Sequence, residues 1–353
     1  MADDTMTIRW DRFAEIVRQH NRFLLTSHIR PDCDALGSEL GLARVLRALG
    51  KEVAIVNGQA TPPNLAFIDP QGDIQSLDEE ISFDQIPDHD VLIVLDTCAW
   101  AQLGPICELL RATRAMKLVI DHHLSEDDLG AESFKDTRAE ATGCLVLEAA
   151  ESLGVQITPE IATPLFAAIA TDTGWFRFNS TSSGTYRAAA KLVDAGAVPD
   201  EIYRALYEHD TLGRVRLRGV ILSRISSELD GRLAHTYVRR EDFRQTGALQ
   251  SDTEDVINMV LAIAGTEFAV IFVEQPTGGF KVSFRSRCQL DCSKIAEGFK
   301  GGGHRAAAGA LLHGSLDDVK GRVLQAVKSA MRQTPPNGIF DPPGRQGIEP
   351  RPS

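Results

Sequence analysis

The chain holds 353 residues, enough for two domains of the usual ~100–200 residues. Hydrophobic residues make up 43% and charged residues 24%, the balance of an ordinary globular protein. Acidic side chains outnumber basic ones, 49 to 37, and the resulting formal charge of -12 excludes a protein that coats extended duplex DNA with a broad basic surface.

In chain order, Arg22 to Ser27 reads as a first strand. Leu36, Leu40, Ala43 and Leu46 then recur at helical spacing, and Gly50 stands where a helix stops. Glu52 to Val56, Asp90 to Leu95 and Lys117 to Ile120 are further strands. Continuous apolar runs separated by helical patterns indicate a buried parallel sheet, so the fold class is α/β with helices on both faces. The expected domains are 8–195 for this sheet, 196–227 as a helical connector with a helix from Thr211 to Ser227, 228–332 as a smaller α+β domain, and 333–353 as a disordered Pro- and Gly-rich tail. Within the second domain, Leu233–Val238, Phe268–Val273 and Lys281–Arg285 read as strands, and Leu316–Met331 as a final helix. Ser251 to Glu254 has the pattern of a capping box opening a helix through Ala262, and Gly301 to His304 reads as a loop.

No run approaches the ~20 apolar residues that span a bilayer. Met1-Ala2-Asp3-Asp4 lacks the basic and apolar regions of a signal peptide. The six cysteines, at 33, 98, 107, 144, 288 and 292, form no CxxC pair and suit reduced thiols in a cytoplasmic protein.

Four polar clusters follow strands or flank helices: His28 with Asp32 and Asp34; Asp96; Asp121 with His122 and His123; and Asp172. Taken singly each has an ordinary explanation, Asp34 as a helix cap and Asp96 as a turn residue. Together they would crowd carboxylates at the carboxyl edge of one parallel sheet, where ligands bind. Unneutralised carboxylates held there would repel one another, and divalent cations remove that cost. Carboxylates and imidazoles without thiolates suit Mn²⁺, Mg²⁺ or similar ions, and the donors outnumber the needs of one ion. A two-metal site activates water and stabilises entering and leaving oxygens at phosphorus.

The string Asp121-His122-His123, preceded by His28, Asp32, Asp34 and Asp96 and followed by Asp172-Thr173-Gly174, resembles the DHH phosphoesterase superfamily. The segments Ser283 to Arg287 and Gly301 to Gly309 look like the DHH-associated C-terminal domain. The resemblance covers residues 8–332 and is similar in length and spacing to the bacterial nanoRNases, bifunctional oligoribonucleases and 3′-phosphoadenosine-5′-phosphate phosphatases. It implies one Mn²⁺ on His28, Asp32 and Asp96, and a second on Asp34, Asp96, His122 and Asp172, with Asp96 bridging; Mg²⁺ or Co²⁺ are the other choices. It implies an active site in a cleft between the domains, His123 as general acid or charge stabiliser, and Asp121 orienting a histidine. Cys33 departs from the small residue the family often carries there. Arg285 and Arg287 alternate to one strand face and suit phosphate recognition. Gly301, Gly302 and Gly303 let an anion approach the backbone, with His304 and Arg305 beside it.

The implied activity is a Mn²⁺-dependent exoribonuclease that cuts very short RNA to 5′-mononucleotides, with 3′-phosphoadenosine-5′-phosphate as a further substrate. Three other readings stay open: a linear or cyclic dinucleotide phosphodiesterase, an inorganic pyrophosphatase, and a non-catalytic nucleotide-binding module. The partner expected is short RNA or a small nucleotide, with no membrane and no extended duplex DNA; a homodimer through the sheet domain is an expectation by analogy alone.

Overall fold

The computed structural model describes residues 8–77, 79–124, 127–253 and 255–334. The chain divides into two compact units, at His209 and Asp210. The first contains α1 (Trp10–Gln19), β1 (Arg22–Thr26), α2 (Cys33–Ala48), β2 (Glu52–Asn57), β3 (Ile74–Ser76) and β4 (Val91–Leu95). It continues with α3 (Ile106–Ala112), β5 (Met116–Asp121), β6 (Glu132–Lys135), α4 (Thr142–Ser152), α5 (Pro159–Asp172), α6 (Ser183–Asp194) and α7 (Pro199–Tyr207).

Its six strands are all parallel, in the order β3-β2-β1-β4-β5-β6. Alternate residues of each strand enter different cores. Leu25, Ile55, Ile93 and Ile120 join one, with α2, α4 and α5; Leu24, Val56, Leu92 and Val119 join the other, with α3. This is why the strand sequences are apolar without alternation. From β1 the chain builds the sheet outward through β2 and β3, then returns to add β4, β5 and β6 on the other side. The order therefore reverses between β1 and β4, which leaves a crevice beyond their carboxyl ends.

Helix α2 starts at that crevice. Its cap is Asp32, whose Oδ1 accepts the backbone N–H groups of Asp34 (3.0 Å) and Ala35 (3.1 Å), so the capping role falls on Asp32 and not Asp34. The helix crosses α5 closely. A Cβ on Gly37 would stand 2.4 Å from the Pro164 carbonyl oxygen, and one on Gly41 would stand 2.4 Å from Leu165 Cδ2. Gly37→Val should therefore cost ~1–3 kcal/mol of stability through overpacking, seen as a lower urea midpoint with an unchanged m-value.

The second unit contains α8 (Leu212–Ser223), β7 (Ser226–Glu228), β8 (Leu233–Val238), α9 (Arg240–Thr246), α10 (Val256–Leu261) and β9 (Phe268–Glu274). Then follow β10 (Phe280–Ser286), α11 (Cys292–Glu297), β11 (Gly302–Gly303), β12 (Ala307–Leu312) and α12 (Leu316–Gln333). Its mixed sheet runs β11-β12-β10-β9-β8-β7, with β8 and β9 parallel and the other pairs antiparallel. One face packs Phe268, Phe272 and Phe284 against Val323, Val327 and Met331 of α12. The other packs Ala269 and Ile271 against α8 and α10.

Three local readings need correction. The expected connector 196–227 is split, α7 belonging to the first unit and α8 to the second. The helix expected from Ser251 is a short 3₁₀ turn followed by α10, because Asp255 takes a left-handed backbone (φ +66°) that interrupts it. The capping partner Glu254 lies outside the described residues, as does the tail from residue 335. The Gly301–His304 loop and the small residues after it form the β11/β12 hairpin. Among the described residues no helix is long and apolar enough to cross a membrane.

Candidate metal centre

The crevice at the strand reversal collects every polar motif of the first unit. His28 follows β1, Asp32 and Asp34 open α2, Asp96 follows β4, Asp121 to His123 close β5, and Asp172 ends α5. Three groups of donor atoms each lie within 4.8 Å of one another: His28, Asp32 and Asp96; Asp34, His122 and Asp172; and Asp96, His122 and His123. Asp96 connects them. Its Oδ2 stands 3.3 Å from His28 Nε2, and its Oδ1 stands 3.5 Å from His122 Nε2. Asp34 and Asp172 each place an oxygen 3.7 Å from that same His122 nitrogen, and Asp32 lies 4.0 Å from His28 Nε2.

The histidines are oriented from behind. His28 Nδ1 donates to the Ile29 carbonyl (3.0 Å), and His122 Nδ1 donates to the Ala139 carbonyl (3.2 Å). Each therefore turns Nε2 toward the carboxylates, the nitrogen that would ligate a metal once free of its proton. The carboxylates are held as well. Asp34 accepts the N–H groups of Thr142 (2.7 Å) and Gly143 (2.9 Å) at the start of α4, and the Ser38 hydroxyl at 3.2 Å. Asp96 Oδ1 accepts the Thr142 hydroxyl at 2.8 Å. Asp96 also has φ +62°, a sparsely populated conformation that persists where the surrounding structure enforces it.

The electrostatics match this crowding. Burial first, then repulsion from Asp96 and Asp172, pushes the Asp34 carboxyl well above the usual carboxylate range. Asp172 is raised too, mainly by burial. Burial opposes protonation of His28, but its contact with Asp96 and the neighbouring carboxylates prevail and push it up to about 9. This cluster of oxygen and imidazole donors costs free energy as it stands and fits hard-to-borderline divalent cations. The Cys33 thiol is no competitor. It is buried as the first residue of α2, and burial pushes it up to about 12.

His123 stands beside this group, its Nδ1 3.7 Å from Asp96 Oδ1 and 2.8 Å from Asp121 Oδ1. The bond to Asp121 raises the imidazole above its ordinary value. Burial alone would raise Asp121, but the His123 bonds and the charges of His123 and Lys135 outweigh it and hold the carboxyl low. Sequence reasoning missed Thr142, Gly143 and Lys135. The small polar start of a helix at Thr142-Gly143 was the available signal for the first two.

In the second unit the two arginines behave differently. Arg285 lies within β10, and with Lys281 and Ser283 it lines a hollow of about 300 Å³. Arg287 lies one residue past the strand, and its guanidinium donates to the carbonyls of Thr266 and Ile263 (2.9 Å for the latter). The structure therefore does not present the two guanidinium groups as a matched pair. The glycines answer first to backbone packing. A Cβ on Gly301 would lie 2.2 Å from the Gly309 carbonyl oxygen, and one on Gly303 would lie 2.5 Å from Ala308 Cα. His304 N–H donates to the Ala307 carbonyl (2.8 Å), closing the hairpin, while the His304 and Arg305 side chains are exposed beside Gly302.

Residues 22–169 match the DHH family, N-terminal domain, and residues 230–333 match the DHHA1 domain. The bifunctional oligoribonuclease and PAP phosphatase NrnA of Thermus thermophilus is 33% identical over 310 residues, spanning 87% of this chain and 89% of that protein. The chain belongs to the DHH family. The corresponding Bacillus subtilis protein of the same name is 28% identical over 317 residues, spanning 89% and 96%. An exopolyphosphatase-related protein from Bacteroides fragilis has the same fold, with a TM-score of 0.77, 27% identity and coverage of 93% and 98%. As a DHH protein the chain is an enzyme that hydrolyses phosphoester bonds.

Proposed function

We propose that this DHH enzyme hydrolyses very short oligoribonucleotides to 5′-mononucleotides and also dephosphorylates 3′-phosphoadenosine-5′-phosphate, working in the cytoplasm with Mn²⁺. The observation that carries the reading is the position of Asp96, whose two oxygens face two separate donor groups. One cation would be held by His28, Asp32 and Asp96, and the other by Asp34, Asp96, His122 and Asp172. Bound there, two such ions supply Lewis acidity at phosphorus and make water a competent nucleophile at neutral pH.

The chain's own groups do the rest. Thr142, Gly143 and Ser38 keep the carboxylates in place. His123, tied at Nδ1 to Asp121, turns Nε2 outward to give a proton to the leaving oxygen. In the second unit, Arg285, Gly302, His304 and Arg305 are the groups that would meet a nucleotide phosphate or base. Both NrnA relatives carry the two activities in their names, which supports this substrate pair. Few basic groups suit a substrate with few phosphates, since long strands bind through many cationic contacts. A homodimer through the first unit belongs to the same proposal and is read by sedimentation.

The test is a side-by-side panel with Mn²⁺: a ribodinucleotide, 3′-phosphoadenosine-5′-phosphate, pyrophosphate, a cyclic dinucleotide and a long oligoribonucleotide. Fastest turnover is expected for the ribodinucleotide. Mononucleotide release from the long oligomer at the same rate would reject the preference for short RNA.

A further inference from the structure

Asp121 is fully buried, and its two oxygens face different charges. Oδ1 accepts the His123 backbone N–H (3.1 Å) and the ring Nδ1–H (2.8 Å). Among the described residues Oδ2 accepts no hydrogen bond, and it lies 3.5 Å from the Lys135 ammonium. Lys135 ends β6 and is the direct cross-strand neighbour of Asp121 in the parallel β5/β6 register. A lysine on an edge strand ordinarily extends into water and discourages pairing with another sheet. This one keeps only 9% of its side chain exposed.

We propose that Lys135 is a positioning residue that acts through Asp121 on His123. The proposal rests on the role given to His123 above. The register sets Lys135 beside Asp121, and its ammonium lies against Oδ2, which leaves Oδ1 as the edge turned to the imidazole. With a cation on its far side, Asp121 serves the ring purely as an acceptor. His123 must then offer Nδ1–H inward, which sets the ring plane and leaves Nε2 for the phosphoester. Without the ammonium, the carboxylate is held only along its Oδ1 edge, its last torsion is freer, and the bond that orients the ring weakens. Groups that orient functional histidines typically carry ~10–100-fold of function.

The experiment is a double-mutant cycle on the full chain with Mn²⁺, using whichever phosphoester the wild type hydrolyses fastest. Lys135→Met should lower kcat by ~10–100-fold while leaving KM within about threefold, the pattern of an interaction used only in the transition state. Lys135→Arg should recover most of the loss. In a His123→Ala background, adding Lys135→Met should change kcat by less than about twofold, because coupled residues are not additive. An equal loss in both backgrounds would overturn the proposal. Lys135→Gln serves if the methionine variant does not fold. A second arm needs no turnover: the His123 Nδ1–H proton resonance should shift or vanish on replacing Lys135, and an unchanged resonance also overturns it. Failure of the short-RNA reading would show in the substrate panel and leave both arms readable.

Discussion

Asp96→Asn should abolish phosphoester hydrolysis while leaving the fold intact. Asparagine is among the few residues that tolerate a left-handed backbone, so the φ of +62° at this position survives the exchange. The amide keeps one neutral oxygen and replaces the other by a donor, so it cannot face both His28 and His122 as an acceptor. Removing a shared ligand forfeits several kcal/mol of charge stabilisation at phosphorus, which is roughly 10³-fold or more in rate. Deleting one negative charge relieves repulsion on Asp34 and Asp172 but gives up the ion pair with His28; the two act in opposite senses, so the metal-free variant should still fold and melt near wild type. Steady-state turnover with saturating Mn²⁺, together with calorimetric melting, checks both halves. Turnover above a tenth of wild type would remove Asp96 from the centre of the site.

The same residue shows how far sequence reasoning reaches. β1, β2, β4 and β5 are legible because a strand buried on both faces has no choice but a continuous apolar run. The motif residues at their ends are legible because carboxylates and imidazoles recur there without a structural need for them. β3 and β6 escape notice because edge strands are short and mixed in polarity; Glu132-Ser133-Phe134-Lys135 looks like a surface segment. β12 escapes because alanine and glycine carry little strand propensity. Only the structure shows that these small residues let β11 lie tightly against β12. The supporting groups were beyond reach for a different reason. Thr142 meets Asp34 across 108 positions of sequence, and Lys135 meets Asp121 through strand register, neither of which leaves a local pattern. The pair Arg285 and Arg287 shows the converse: alternation predicted a shared face, but the strand ends between them and Arg287 turns to backbone carbonyls.

The acidity of the chain has a definite consequence at this centre. In the absence of divalent ions, Asp34, Asp172 and His28 all hold protons more tightly in the folded state than ordinary groups do. The folded protein then carries more protons than the unfolded chain, so the metal-free form loses stability as pH rises. For His28 the contribution is complete below its ordinary value of 6.5 and is lost on passing about 9; the two carboxyls act in the same sense, from their ordinary value upward. Cation binding has the opposite dependence, because the ligands must first deprotonate, and each proton released adds a factor of about ten in affinity per pH unit. Mn²⁺ should therefore bind more tightly toward pH 9, with proton release visible as a calorimetric enthalpy that differs between buffers of different ionisation heat. The melting temperature of chelator-treated protein should fall from pH 6.5 to 9, and added Mn²⁺ should restore more stability at the upper end than at the lower. Two such ions would bring the formal charge from -12 to about -8, placing the compensation where the carboxylates are densest. Affinity that is flat across this window, with no proton release, would mean that His28, Asp34 and Asp172 do not meet the ions.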